Sequence, residues 1–289
     1  MYELDLYREV NIKGTSNMLD VILESKHDVQ KIIVASSRAI YGEGKYYSKK
    51  HGFVYPLKRR EEDLVKKDFN VKCPFSNINV ESVPTDEDSK PNPLSIYAST
   101  KHKQEDMVMF FGKSLSIPTV ALRYQNVYGP GQSLCNPYTG ILSIFSTRIL
   151  NGNDIEVYED GQESRDFVYI EDAVWATIAA IERSDANGHI FNVGSGIGTS
   201  VIDVAKLLKT VYSSDINILI NKKFRVGDIR HNYADLKKIS YVLGYTPKYS
   251  FQQGVLEFVK WVKTQKIAKD MYESSVIELK KRGLIKWKV

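Results

Sequence analysis

Lys31-Ile32-Ile33-Val34-Ala35-Ser36-Ser37-Arg38-Ala39-Ile40-Tyr41-Gly42 sets the frame in which the rest of the chain is read. Ile32 to Ala35 is a short unbroken apolar run, the pattern of a parallel strand buried on both faces. It closes on two hydroxyls and, after a few residues, a glycine. Downstream, Tyr97-Ala98-Ser99-Thr100-Lys101 opens a helical pattern over residues 96–113. Pro118 and a second apolar run, Thr119-Val120-Ala121-Leu122-Arg123, follow. Strand, helix and strand in this order predict a parallel pair with a right-handed crossover. Ligands of open α/β sheets sit at the carboxyl ends of the strands. Ser37, the start of the Tyr97 helix and Asn126, in the turn-rich stretch Asn126-Val127-Tyr128-Gly129-Pro130-Gly131, are therefore expected around one crevice.

Outward from this unit the pattern stays mixed α/β. Residues 9–26 read as an amphipathic helix with Val10, Met18, Leu19, Ile22 and Leu23 as its apolar residues. Gly14 within it marks close approach of a neighbour. Residues 43–93 are polar, proline-bearing and without a sustained period, and read as an excursion loop. Further on, helices are expected over 141–150, 170–183, 201–211, 236–243 and 251–264, and strands over 155–158, 190–193 and 216–220. Glu171 and Asp172 suit a helix start. The basic end, with Lys280, Lys281, Arg282, Lys286 and Lys288, reads as a solvated, frayed tail.

The 289 residues carry a net charge of +5, 43% hydrophobic and 26% charged side chains, ordinary values for a soluble globular protein. The mild charge, concentrated at the tail, excludes a dedicated nucleic-acid surface. No apolar run reaches the ~18–20 residues of a bilayer span, and no signal peptide is visible, so no membrane partner and a cytoplasmic location are expected. Cys73 and Cys135 stand far apart without a Cys-x-x-Cys partner, so neither a metal site nor a disulfide framework is expected.

Four Tyr-x-x-x-Lys pairs occur, and only Tyr97/Lys101 lies in a helix between two buried strands. Spacing of i,i+4 puts both side chains on one helix face. A nearby ammonium favours phenolate over the ordinary tyrosine pKa of ~10, as a general base requires. With Ser37 upstream and Asn126 downstream, the pair reads as a device for taking a proton from an alcohol. Gly194-Ser195-Gly196-Ile197-Gly198-Thr199 has the strand-to-helix context of a phosphate loop but not the dinucleotide spacing, and reads as a tight turn. Arg165 and Arg230 are candidate anion contacts, because a planar guanidinium donates in pairs. His231 and His189 read as structural.

These residues, taken in order, resemble the extended short-chain dehydrogenase/reductase family in its nucleotide-sugar epimerase/dehydratase branch. The resemblance runs through Asn11-Ile12-Lys13-Gly14-Thr15-Ser16-Asn17, Ser36 to Gly42, Tyr97 to Lys101, Leu122 to Gly131, Arg165 to Ile170 and Phe191-Asn192-Val193-Gly194. The stretches Asn136-Pro137-Tyr138-Thr139-Gly140-Ile141 and Phe224 to His231 look most like dTDP-L-rhamnose and UDP-glucose 4-epimerase-like members. The resemblance implies a Rossmann-like, doubly wound parallel sheet, incomplete because the family's first strands and glycine-rich turn are not found before Asn11, with a small C-terminal α/β substrate lobe. Residues 1–135 and parts of 150–195 would be the NAD-binding portion, with 43–93 inserted. Residues 136–150 and 195–289 would form the nucleotide-sugar lobe.

The resemblance also implies roles. Tyr97 is the base and acid on the sugar hydroxyl, Lys101 holds the nicotinamide ribose, and Ser37 bonds the same sugar oxygen. Asn11 supports the active-site helix and, with Ser36, belongs to the cofactor side. Asn126, Arg165, Arg230 and Tyr138 contact a nucleotide-diphosphate sugar. The implied reaction is C4 oxidation to a keto-sugar by NAD and re-reduction on the opposite face, in a homodimer paired through two helices per subunit. NAD binding is expected to be weakened without the glycine-rich turn. The alternatives are a catalytically impaired member that keeps only substrate-lobe binding, and a 4,6-dehydratase or ketoreductase. Arg38 after Ser37, where a dehydratase carries an acid, argues against the dehydratase.

Overall fold

A computed structural model describes residues 4–25, 28–135 and 140–286. The chain opens with α1 (Leu4–Tyr7), which passes through a widened π-type stretch (Arg8–Lys13) into α2 (Gly14–Glu24). Then come β1 (Ile32–Ser37), β2 (Tyr46–Ser48), β3 (Gly52–Val54), α3 (Glu61–Val65), β4 (Glu81–Ser82), α4 (Ile96–Leu115), β5 (Thr119–Tyr124) and β6 (Asn126–Tyr128). They are followed by α5 (Ile141–Leu150), β7 (Ile155–Val157), β8 (Ser164–Tyr169), α6 (Ile170–Glu182), β9 (Ile190–Val193), β10 (Gly198–Ser200) and α7 (Val201–Tyr212). The remaining elements are β11 (Ile218–Ile220), β12 (Phe224–Arg225), β13 (His231–Asn232), α8 (Lys237–Leu243), α9 (Phe251–Thr264), α10 (Tyr272–Lys281) and β14 (Ile285–Lys286).

The strands expected to pair do so: β1, β5 and β9 form a parallel sheet in that order, with Ile32 opposite Thr119 and Ser37 opposite Tyr124. Alternation along the strands sends successive side chains to opposite faces. Ile32, Val34 and Ala121 meet Leu19 of α2 and Val108 of α4. Val120, Leu122 and Phe191 meet α6 and α8 on the other face. Helix α6 buries Ala173, Ala176, Ala179 and Ala180, whose small side chains let it lie close to the strands. At the end of α4, a Cβ on Gly112 would meet Thr119 Oγ1 at 1.8 Å, so glycine is what lets the helix turn tightly into β5. The second core is that of the C-terminal lobe, where α5, α7 and α9 close over β7 and β8 with Phe145, Ile155, Phe167, Leu208 and Phe258.

Several expectations are corrected. Residues 43–93 are a folded cap rather than a loop. Strand β2 pairs antiparallel with both β3 and β4 around Tyr46, Val54, Val71 and Cys73, a core too small and too widely spaced to leave a period. The stretch read as turn-rich contains β6, which pairs in parallel with β8. As far as Lys286 the basic tail is packed rather than frayed: α10 and β14 bring Tyr272, Val276, Leu279 and Ile285 together, and β14 pairs with β12; Lys288 lies outside the described residues. Of the apolar residues expected along the first helix only Leu19 is buried, while Val10, Met18 and Leu23 are exposed. Gly14 has no close side-chain neighbour, since a Cβ there would meet only the Glu9 carbonyl at 3.4 Å. Among the described residues, no helix is long and apolar enough to cross a membrane.

Candidate active site

The carboxyl end of β1 leads directly into the site. Ser37 is in extended conformation and its hydroxyl accepts from Ala39 N at 3.2 Å, capping the single 3₁₀ turn Arg38–Tyr41. Ser95 does the same for α4, accepting from Ala98 N at 3.1 Å, so Tyr97 sits in the first turn of that helix. Ser37, Arg38, Tyr97, Asn126, Arg165, Glu163, Tyr158, Arg225 and Asp228 line one cleft of about 720 Å³ between the parallel sheet and the C-terminal lobe. Tyr7 also lines it, its ring edge-on to Tyr97 at 5.7 Å.

Of the residues expected in the site, Ser37, Tyr97, Asn126 and Arg165 are thus brought together. Lys101, Asn11, Ser36 and Arg230 lie elsewhere. Lys101 follows Tyr97 by one turn, but its ammonium donates to Gln104 and does not line the cleft. Gln104 donates in turn to Thr15 at 2.8 Å. Burial lowers the Lys101 pKa against the opposing Glu105 carboxylate. Asn11, carried by the widened stretch of the first helix, donates to Thr100 Oγ1 at 3.1 Å and ties that helix to α4. The Ser36 hydroxyl points inward and donates to Glu105, which also receives two nitrogens of Arg123. This buried cluster joins α4 to β1 and β5 immediately behind Ser37. Tyr138 lies outside the described residues.

Arg230 does not meet the expectation of a substrate contact. It is buried and does not line the cleft, donating to Asp160 at 2.7 and 2.8 Å and to Glu159 at 3.0 Å. Arg59 of the cap adds a bidentate pair to Glu159 at 2.8 Å. Glu43 accepts the Arg230 backbone N–H at 2.8 Å. Arg165 reaches the cleft with both terminal nitrogens engaged, on Asp228 and on the carbonyls of Ser164, Ile229 and Arg230.

Two guanidiniums that the sequence reading did not assign to the site are freer. Arg38 has one hydrogen bond, from Nε to Asn126 Oδ1 at 3.3 Å. Arg225 lies 5.2 Å over the Tyr158 ring, and its Nε is buried without a partner. Neither forms an ion pair among the described residues. The signal for Arg38 was its place beside Ser37; nothing in the spacing separates Arg225 from Arg230. Glu163, also unanticipated, carries a buried Oε2 without a hydrogen bond, and burial followed by the neighbouring Glu159 charge pushes its pKa up to about 8. His231 is structural, bonded to Ser164 at 2.9 Å, with burial and three arginines lowering its pKa to about 4.

The glycine turn after β9 holds no free anion cradle. The Asp166 carboxylate occupies it, accepting from Ser195 N at 2.7 Å, Gly196 N at 3.0 Å and Ala234 N at 3.1 Å. A Cβ on Gly194 would meet that carboxylate at 2.5 Å, so the glycine makes room for it.

A parallel sheet whose strand ends open on a hydroxyl, a phenol and arginines places the protein among the Rossmann-type α/β enzymes. The chain belongs to the NAD dependent epimerase/dehydratase family, whose model matches residues 75–194. It is 36% identical over 254 residues to the dTDP-L-rhamnose 4-epimerase of Burkholderia thailandensis, an alignment covering 88% of this chain and 68% of that protein. The UDP-glucose 4-epimerase of Thermotoga maritima, solved with UDP-glucose, superposes with a TM-score of 0.70 at 29% identity over 90% of this chain and 72% of its own. The UDP-glucuronic acid 4-epimerase of Bacillus cereus, solved with UDP-glucuronic acid and NAD, gives 0.70 at 26% identity over 91% and 70%.

Proposed function

We propose that the chain acts as an NAD-dependent nucleotide-sugar 4-epimerase. The observation that carries this reading is the cleft itself, lined by Ser37 and Tyr97 together with Arg225 and Asp228, in a chain similar to a dTDP-L-rhamnose 4-epimerase. When bound, NAD supplies a hydride acceptor that also returns the hydride. Tyr97 takes the proton from the sugar C4 hydroxyl as the hydride leaves and gives it back on re-reduction. Ser37 donates to the same oxygen and holds it against the phenol. Positioning of this kind and general-base action are the terms the protein itself contributes. Asn126 orients the sugar end of the substrate.

The fit to NAD is divided. Tyr97 suits the nicotinamide end, whereas Lys101 is turned onto Gln104 and would have to leave it to reach the ribose. For the pyrophosphate, the glycine turn among the described residues is already filled by Asp166. That supports weak NAD binding by this chain and keeps in view the second reading, a family member that holds substrate but turns it over poorly. Calorimetry with NAD separates the two: a millimolar dissociation constant is expected, and micromolar binding contradicts it. The allocation of residues 1–135 with parts of 150–195 to cofactor, and of 136–150 with 195–289 to nucleotide-sugar, belongs to the same proposal.

Incubation with saturating NAD and dTDP- or UDP-linked hexoses, followed by sugar analysis, is the functional test. Inversion at C4 supports the reading; loss of water instead supports a 4,6-dehydratase, which the Arg38 neighbour of Ser37 disfavours. A homodimer is part of the proposal. Leu6, Val10, Val21, Phe110 and Leu115 lie exposed on the first helix and α4, the two helices through which the family pairs. Light scattering at micromolar concentration is expected to give twice the chain mass.

A further inference from the structure

Arg38 is a charged group in the cleft that the proposed chemistry leaves without a task. It follows Ser37 directly, and its guanidinium is held through Nε by Asn126 at 3.3 Å. The fork formed by its two terminal nitrogens has no hydrogen-bond or ion-pair partner among the described residues. That is an expensive arrangement. Arg59, Arg123, Arg148, Arg165 and Arg230 are more fully buried than the half-buried Arg38, and each has a carboxylate within 4 Å. Burial and the neighbouring Arg165 together lower the Arg38 pKa to about 10, against the opposing pull of Asp228 and Tyr97. A half-buried cation without a carboxylate partner is partly desolvated, and a ligand that completes it recovers that cost.

Its location narrows what that ligand offers. Arg38 lies within reach of both groups that line the cleft. Ser37 is its chain neighbour and Tyr97 is close enough to interact with its charge; on the other side the same holds for Arg165 and Asp228. Three arginines of the lining, Arg38, Arg165 and Arg225, act on the single carboxylate of Asp228, so the wall around it holds an excess of positive charge. An anionic group lying between sugar and nucleoside matches that excess. A planar fork donating two parallel N–H groups is the geometry for phosphoryl oxygens.

We propose that Arg38 binds the phosphoryl group joined to the sugar in a nucleoside-diphosphate sugar, and that it thereby selects diphosphate over monophosphate ligands. This rests on the nucleotide-sugar reading of the cleft and adds to it a residue and a discrimination. Anchoring that phosphoryl beside Ser37 also fixes how far the sugar ring reaches toward Tyr97.

The test is equilibrium binding of nucleoside monophosphate, nucleoside diphosphate, diphospho-hexose and diphospho-uronic acid, with uracil or thymine as base, to the parent chain, Arg38→Gln and Arg38→Lys. Unchanged melting temperature and circular dichroism confirm folding of the variants. In Arg38→Gln, affinity for the diphosphate and both diphospho-sugars is expected to fall roughly 10- to 100-fold, the scale of a lost charge-assisted pair. Monophosphate affinity should stay within about twofold, and Arg38→Lys should recover part of the loss. An equal loss for monophosphate and diphosphate overturns the proposal, as does a loss confined to the uronic acid, which would make Arg38 a reader of the sugar carboxylate. If neither variant folds, the parent chain alone decides: it must bind diphosphate more tightly than monophosphate, with a steeper salt dependence, and equal affinities overturn the proposal. Failure of the parent to bind any of the four ligands removes the nucleotide-sugar reading and this inference with it. Binding by the parent with an unaffected Arg38→Gln removes this inference alone.

Discussion

Two groups of arginines lie within one network and do opposite work. Arg59 and Arg230 sit behind the cleft, consumed by Glu159, Asp160 and Glu43, and fasten the cap (residues 43–93) to the C-terminal lobe. Arg38 and Arg225 sit in the cleft wall with donors to spare. The residue type is identical; what differs is whether the fold supplies the anion or leaves that to a ligand. A buried pair completed by the protein gives little net stability but costs much when one partner is removed. A guanidinium that waits for a ligand costs stability in the empty protein and appears as affinity.

The largest expected effect lies outside both groups and sets their scale. Tyr97→Phe keeps the ring packed against Tyr7 but removes the proton acceptor. It is expected to lower kcat by roughly 10²–10⁴ with substrate affinity little changed, as measured in an epimerisation assay beside a binding titration. Retained turnover would move the chemistry away from this cleft.

Next, Arg230→Met strands Glu159 and Asp160 in the interior. A broken buried pair costs about 3–5 kcal/mol, which in a chain of this size lowers Tm by on the order of 10 °C. Arg225→Gln is expected to leave Tm almost unchanged and to weaken nucleotide-sugar binding roughly tenfold. If the two variants exchange these behaviours, the division between structural and cleft arginines is wrong.

Glu163 sharpens the same contrast through pH. Its folded pKa, raised to about 8, lies above the ordinary carboxyl value of the unfolded chain. Between about pH 4.5 and 8 the folded state therefore holds a proton that the unfolded state has released, and this group's contribution to stability falls as pH rises through that window. Thermal melts of Glu163→Gln against the parent should diverge progressively from pH 5 to pH 8 in favour of the variant; parallel curves would contradict the assignment. The smallest effect is expected from Asn11→Ala, which removes the link to Thr100: about 1 kcal/mol in stability and a few-fold in kcat.

The fold was legible where apolar period and burial coincide. β1, α4, β5, α5, β9 and α9 were read close to their observed bounds, because each turns a continuous or helical apolar face to one of the two main cores. Strand β8 was not read, because its Arg165 and Asp166 are polar and are buried by bonds to Asp228 and to the glycine turn rather than by apolar contact. The cap escaped because strands of two and three residues cannot show a period. Within the site, Ser37, Tyr97 and Asn126 were legible because the strand-end rule fixes where they face. The arginines were not: sequence shows a donor, but only tertiary structure shows whether a carboxylate has already taken it.

The central claim is that the cleft exchanges hydride and proton at one carbon of a nucleotide-linked sugar. Proton NMR of dTDP-L-rhamnose or UDP-glucose incubated in deuterium oxide with the chain and saturating NAD tests it most directly. An inverted C4 that keeps its original hydrogen is expected, with no deuterium at C3, C4 or C5. Deuterium in the ring, loss of water, or a sugar that remains unchanged would contradict it.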